Sequence, residues 1–127
     1  QSFLNYSEKN TYKTLNKIAK NPEYAGGAVV RDDDLVVGFT AWTLNWIWYD
    51  DPELEMIMFY VHPNYRGTGA SHMLAEYYSD IVEKMGVKLA YTGCESGMGH
   101  NNDALYVNLF KKYGFEPIGT TMAKCGV

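Results

Sequence analysis

A chain of 127 residues with 46% hydrophobic content is long enough to bury one core, about two-thirds of its unfolded surface, and a single domain over residues 1–127 is expected. A formal charge of −4 argues against a nucleic-acid partner, whose binders present a basic stripe, and leaves a cationic substrate compatible. No run of about 18 apolar residues occurs, and the polar opening Gln1-Ser2-Phe3-Leu4-Asn5 lacks the regions of a signal peptide, so a soluble cytoplasmic protein without a membrane partner is expected.

In chain order, Tyr12, Leu15, Ile18 and Ala19 recur at helical spacing and predict a helix packed by one face and stopped before Asn21-Pro22. Ala28-Val29-Val30 and Leu35-Val36-Val37 flank Arg31-Asp32-Asp33-Asp34, which predicts a hairpin with the aspartates as turn formers and not metal ligands. The second strand is predicted to run on through Tyr49, which puts Trp42, Leu44, Trp46 and Trp48 on one face. That face is read as a helix-covered sheet surface, or as an aromatic wall for a substrate or for the subunit contact of a homodimer.

Asp50-Asp51-Pro52 turns the chain into Leu54 to Val61, a nearly continuous apolar run that predicts a central strand buried on both faces, interrupted by Glu55. After Gly67-Thr68-Gly69 come Ala70, Met73, Leu74, Tyr77, Tyr78, Ile81, Val82 and Met85, the clearest helical series in the chain, with Gly86 placed to cap it. Val87 to Thr92 reads as a further strand, so strand, glycine turn, helix and strand make a β-α-β unit with two parallel strands. The glycine-rich segment Gly93 to His100 follows, and Asn101-Asn102-Asp103 offers N-caps for a helix that bears Leu105, Leu109, Phe110 and Tyr113 and ends at Gly114. Phe115 to Cys125 is mostly β-compatible. Cys94 and Cys125 have no C-x-x-C spacing, which indicates neither a disulfide framework nor a zinc site, and no metal is expected.

The chemistry concentrates in Val61-His62-Pro63-Asn64-Tyr65-Arg66-Gly67-Thr68-Gly69-Ala70-Ser71, which joins the apolar strand to the clearest helix. Glycines there let the backbone approach a ligand, and unpaired N–H groups at the positive end of a helix suit phosphate oxygens, helped by the Arg66 guanidinium. No G-x-x-x-x-G-K-[ST] loop and no complete dinucleotide fingerprint occur, so a nucleotide-binding module ranks far behind.

This stretch resembles the GNAT N-acetyltransferase superfamily, whose signature is a strand ending in V-x-P-x-Y-R-G and an R/Q-x-x-G-x-G/A loop. Arg66 and Gly69 match it, and Ser71 stands where the family has Gly or Ala. The family's later helix ending in Gly-Phe is matched by Leu109 to Phe115, and the resemblance covers about residues 27 to 125. It implies an α/β fold of the α+β kind, a central mixed β-sheet flanked by helices, and acetyl-CoA (coenzyme A) as co-substrate. The resemblance further implies that the strands at 54–61 and 87–92 splay to admit the pantetheine arm, paired with backbone near Phe59, Tyr60 and Val61. Arg66, Gly67, Thr68, Gly69, Ala70 and Ser71 would then hold the pyrophosphate, and Asn102 joins the expected cofactor contacts. The strand and helix with which the family commonly begins look short or missing, which leaves the acceptor wall the least defined part.

Acyl transfer needs a neutral amine, yet an amine of pKa about 10.4 is only about 0.04% neutral at pH 7, a handicap of about 4.6 kcal/mol that a positioned base relieves in part. The family often takes this base from a glutamate six residues before the strand-end valine, and Glu55 stands six before Val61. A carboxylate inside an apolar strand is also desolvated, which suits a base; the plainer reading is a glutamate at the sheet rim. The family's usual acid, a tyrosine four residues before the glycine of Gly-Phe, is Phe110 here, and Tyr106 one turn earlier is its candidate replacement. His100 and Glu95 are weaker proton-transfer candidates, and Cys94 lacks a supporting histidine for covalent catalysis. The expected activity is N-acetyl transfer to a small-molecule or peptide amine by direct attack. The alternative is a domain that binds CoA or a protein partner without turnover.

Overall fold

The computed structural model describes residues 7–93 and 100–119, with side chains described for 7–93 and 104–119. Helix α1 (Glu8–Lys20) begins where the Ser7 hydroxyl accepts the Asn10 amide and stops at Asn21, ahead of the proline. Its expected packed face is a correction: no α1 residue is buried, and Tyr12 and Leu15 are exposed. The helix does rest on β1, with Ile18 half-buried, so among the described residues its apolar stripe is covered only in part, and both buried clusters draw on the sheet, α2 and α3.

Strands β1 (Ala25–Asp32) and β2 (Leu35–Asn45) form the predicted hairpin, closed by Asp33 and Asp34. Asp33 takes a φ of 51°, a left-handed conformation that aspartate adopts more readily than most residues. β2 pairs antiparallel with β3 (Glu53–Val61), and β3 pairs parallel with β4 (Leu89–Tyr91), which gives a mixed sheet of order β1-β2-β3-β4.

Three strand expectations are corrected. β2 ends at Asn45, paired with Glu53, so Trp46 and Trp48 lie in the connecting loop and not beside Trp42; they are 51% and 80% exposed, whereas Trp42 is buried. β3 is not covered on both faces, for Leu54, Met56 and Val61 are buried while Glu55, Ile57 and Tyr60 are exposed. β4 is shorter than Val87 to Thr92, because β3 starts opposite Leu89 and pairing stops at Glu55 and Tyr91.

Helix α2 (Ala70–Met85) buries Ala70, Leu74, Ala75 and Tyr78 against the sheet and is capped by Gly86 at a φ of 64°. Helix α3 (His100–Lys111) lies beside it, adding buried Phe110 to a cluster with Trp42, Leu54, Met56, Ala75 and Tyr78. Each large apolar side chain so buried contributes about 1.5–3 kcal/mol. Trp42 has room because a Cβ on Gly26 would come within 2.4 Å of its ring. The stretch 115–119 is not strand, and residues 120–127 lie outside the described residues.

Candidate active site

β3 opposes both Ala41 to Met58 and Trp42 to Met56, so Ile57 is an extra residue, a bulge that bends the strand. Pairing with β4 ends just before it. Among the described residues, β3 from Met56 to Val61 therefore has no strand paired with it on the β4 side, as the splay implied by the resemblance requires.

At the far end of that edge, β3 passes through a short 3-10 turn (Pro63–Tyr65) into the glycine loop. The Tyr65 hydroxyl donates to Asp32 Oδ2 at 2.7 Å and ties the turn to the hairpin; this hydrogen bond, with some desolvation and the negative charge of Asp32, raises the Tyr65 pKa. Arg66 Nε donates to the Val61 carbonyl at 2.9 Å, which holds the guanidinium back against the strand end. The Thr68 hydroxyl turns inward to the Tyr65 carbonyl and braces the loop.

Gly67 and Gly69 take φ values of 83° and 98°, and a Cβ built on either meets nothing within 4 Å. These positions need glycine for the backbone and leave open space above it. The first helical bond of α2 runs from the Met73 amide to the Gly69 carbonyl. The amides of Ala70, Ser71 and His72 thus start the helix without helical acceptors, and no side chain caps them. Uncapped amides at the positive end of a helix of 16 residues suit a pyrophosphate, so the loop fits the headgroup of coenzyme A.

Phe59 sends its ring into the core against Tyr106 and Phe110, Tyr60 is exposed beside Phe39, and Val61 is buried. Glu55 and Val61 are six residues apart, roughly 20 Å of strand, so the splay and the loop mark two ends of one edge.

At the splay, Glu55 faces away from the α2 and α3 side, to which its neighbours Leu54 and Met56 point. It is exposed, so the expected desolvation in an apolar strand is corrected, and the reading at the sheet rim holds. Asn45 Nδ2 donates to Glu55 Oε2 at 2.8 Å and orients the carboxylate. On the opposite face the Tyr106 hydroxyl meets the Thr92 hydroxyl and lies 3.5 Å from Met56 Sδ, between β3 and the chain just past β4. Phe110 is 2% exposed and its ring packs 4.6 Å from that of Tyr106. Tyr91, which pairs with Glu55 across the β3–β4 ladder, has its phenol pushed up by burial and then by Glu53 and Tyr49.

α3 already begins at His100, so Asn101, Asn102 and Asp103 lie in its first turn and do not cap it. The side chains of His100 and Asn102 lie outside the described residues, as do Cys94, Glu95 and Cys125. Sequence reasoning missed Thr92 and the hydroxyl of Tyr78. The available signal for Tyr78 was that a tyrosine at a core position of an amphipathic helix needs a partner for its hydroxyl.

The model of the acetyltransferase (GNAT) family matches residues 2–115. The chain belongs to the GNAT acetyltransferase family. Acetyl-CoA is the co-substrate of GNAT enzymes. No curated relative matches the chain.

Solved structures share this GNAT fold. The apo aminoglycoside 6'-N-acetyltransferase AAC(6')-IG from Acinetobacter haemolyticus has a TM-score of 0.71 at 12% identity, covering 98% of this chain and 84% of that one. Glucosamine-6-phosphate N-acetyltransferase from Arabidopsis thaliana has a TM-score of 0.71 at 13% identity, covering 94% and 79%. AAC(6')-Iy in complex with the bisubstrate analog CoA-S-monomethyl-acetylneamine has a TM-score of 0.72 at 11% identity, covering 94% and 80%. At these identities the likeness speaks for the fold alone. Among the described residues no helix is long and apolar enough to cross a membrane.

Proposed function

We propose that this chain, working as one domain, is an N-acetyltransferase that moves an acetyl group from acetyl-CoA to a cationic amine acceptor. The observation that carries the reading is the single edge of β3, with a glycine loop suited to a pyrophosphate at one end and Glu55 and Tyr106 on opposite faces at the other.

When bound, acetyl-CoA supplies a thioester, the electrophile. Gly67, Gly69 and the amides of Ala70 and Ser71 hold the pyrophosphate, with Arg66 adding its charge. Backbone groups from Phe59 to Val61 accept the arm as an added strand. Glu55 takes the proton from the acceptor ammonium, directly or through water, and presents the neutral amine from the exposed face. Tyr106 offers its phenolic proton to the departing sulfur from the helix side.

The stretch from the end of β2 into β3 is acidic and aromatic, carrying Asp50, Glu53 and Glu55 along with the exposed Trp46, Trp48 and Tyr49, and this favours a small-molecule or peptide amine that carries positive charge. The same exposed rings suit the subunit contact of a homodimer. Phe110, buried where the family's acid commonly stands, favours binding without turnover as a second reading. Thiol release from acetyl-CoA across a panel of cationic amines separates the two. Release that depends on at least one amine is expected, while tight CoA binding with no release under any acceptor supports the second reading.

A further inference from the structure

The Tyr78 side chain is fully buried, at 0% exposure, yet its hydroxyl reaches the sheet where β3 and β4 part. It donates to the Tyr91 carbonyl at 2.6 Å and lies 3.2 Å from the Leu54 carbonyl, with the Met56 amide beside it. Glu55 and Tyr91 are the last paired residues, so the hydroxyl stands between an amide and a carbonyl that would otherwise meet as the next rung. Its ring is fixed by a stack on Phe115 at 5.9 Å and by the surrounding core.

We propose that Tyr78 is the wedge that ends the β3–β4 ladder and sets the width of the slot for the pantetheine arm. The inference rests on the reading of the splay as the acetyl-CoA site and adds a positioning residue to it. Buried backbone groups do not stay unpaired, so without the hydroxyl the Met56 amide and the Tyr91 carbonyl are left to find each other. Direct pairing zips the strands by one rung and narrows the gap beside Ile57. The bulge bends β3 away, and the wedge keeps β4 from following it.

Tyr78→Phe removes the hydroxyl and keeps the ring. The test is calorimetric titration of wild type and variant with CoA and with ADP, which has the adenosine and pyrophosphate but no arm. CoA affinity is expected to fall about tenfold, with ADP affinity kept within about twofold. Unchanged CoA affinity, or an equal loss for both ligands, overturns the wedge. A wild-type protein that binds neither ligand overturns the site reading itself, and the wedge with it. A measurement on wild type covers a variant that fails to fold. The Tyr78 hydroxyl proton is expected as a slowly exchanging NMR resonance coupled through space to the Met56 amide, and its absence under conditions where buried amides persist contradicts the proposal.

Discussion

The two ends of β3 differ in what builds them. At the loop end, local backbone demands dominate, since Gly67 and Gly69 hold φ values closed to most residues and the chain must pass at once into α2. At the splay end nothing is local, because Glu55 is oriented by Asn45 from β2, while the Tyr106 hydroxyl comes from α3 and Tyr78 from α2. A ligand grip can thus be written in six consecutive residues, whereas the reacting end needs four elements to meet.

If that division is right, substitutions at the two ends should separate binding from turnover. The largest effect is expected from Glu55→Gln, with turnover near neutral pH falling by about 10²–10⁴ and CoA affinity unchanged. The deficit should shrink as pH rises toward the acceptor's own pKa, because solution then supplies neutral amine. An undiminished rate with a good acceptor, or a pH-independent loss together with unfolding, removes Glu55 from the mechanism. Tyr106→Phe keeps the rings packed and should cost about 10² in turnover, with the loss recovered on a thioester whose thiol is more acidic. A loss equal for both thioesters would make Tyr106 structural.

At the loop end, Gly69→Ala meets no side-chain clash but forces a non-glycine residue to a φ of 98°, at about 1–3 kcal/mol of strain. Gly86→Ala at the other end of α2, with a φ of 64°, is the matched control. Both should lower the melting temperature by several degrees, while Gly69→Ala alone weakens CoA by about tenfold. Equal CoA affinity in the two variants would show the loop to be scaffold.

The legible part of the molecule follows the same division. The helix at 70–85 and its glycine ends were readable from period and backbone chemistry, and so was the Asp33-Asp34 hairpin. The end of β2 was not, since Trp46 to Tyr49 have strong strand preferences but lie beyond Asn45, where β3 no longer supplies a partner. The apolar run of β3 likewise hid its alternation, because Ile57 and Tyr60 are apolar but exposed. Glu55 was found by family spacing, and its exposure came only with the sheet. Tyr78 looked like one more core ring, and its role depends on a hydroxyl meeting two strands far along the chain.

The smallest predicted effect is alkaline. Burial, with smaller contributions from Tyr106 and Glu55, raises the Tyr78 pKa above its ordinary 10.0, so its contribution to stability is full below pH 10 and is lost as pH rises through the folded value. Tyr78→Phe should therefore lose less stability than wild type between neutral pH and strongly alkaline solution. Identical alkaline slopes in urea melts would contradict the burial of that phenol.

The central claim, that one edge of β3 joins a pyrophosphate grip to a reacting end, is tested most directly by the melting temperature of the wild-type chain in CoA. At a concentration about a hundred times the dissociation constant, stabilisation of about 2.7 kcal/mol is expected, a rise of about 10 °C. ADP should give a smaller rise because it engages the loop alone. No shift at millimolar CoA, or one no larger than that with ADP, would contradict the account.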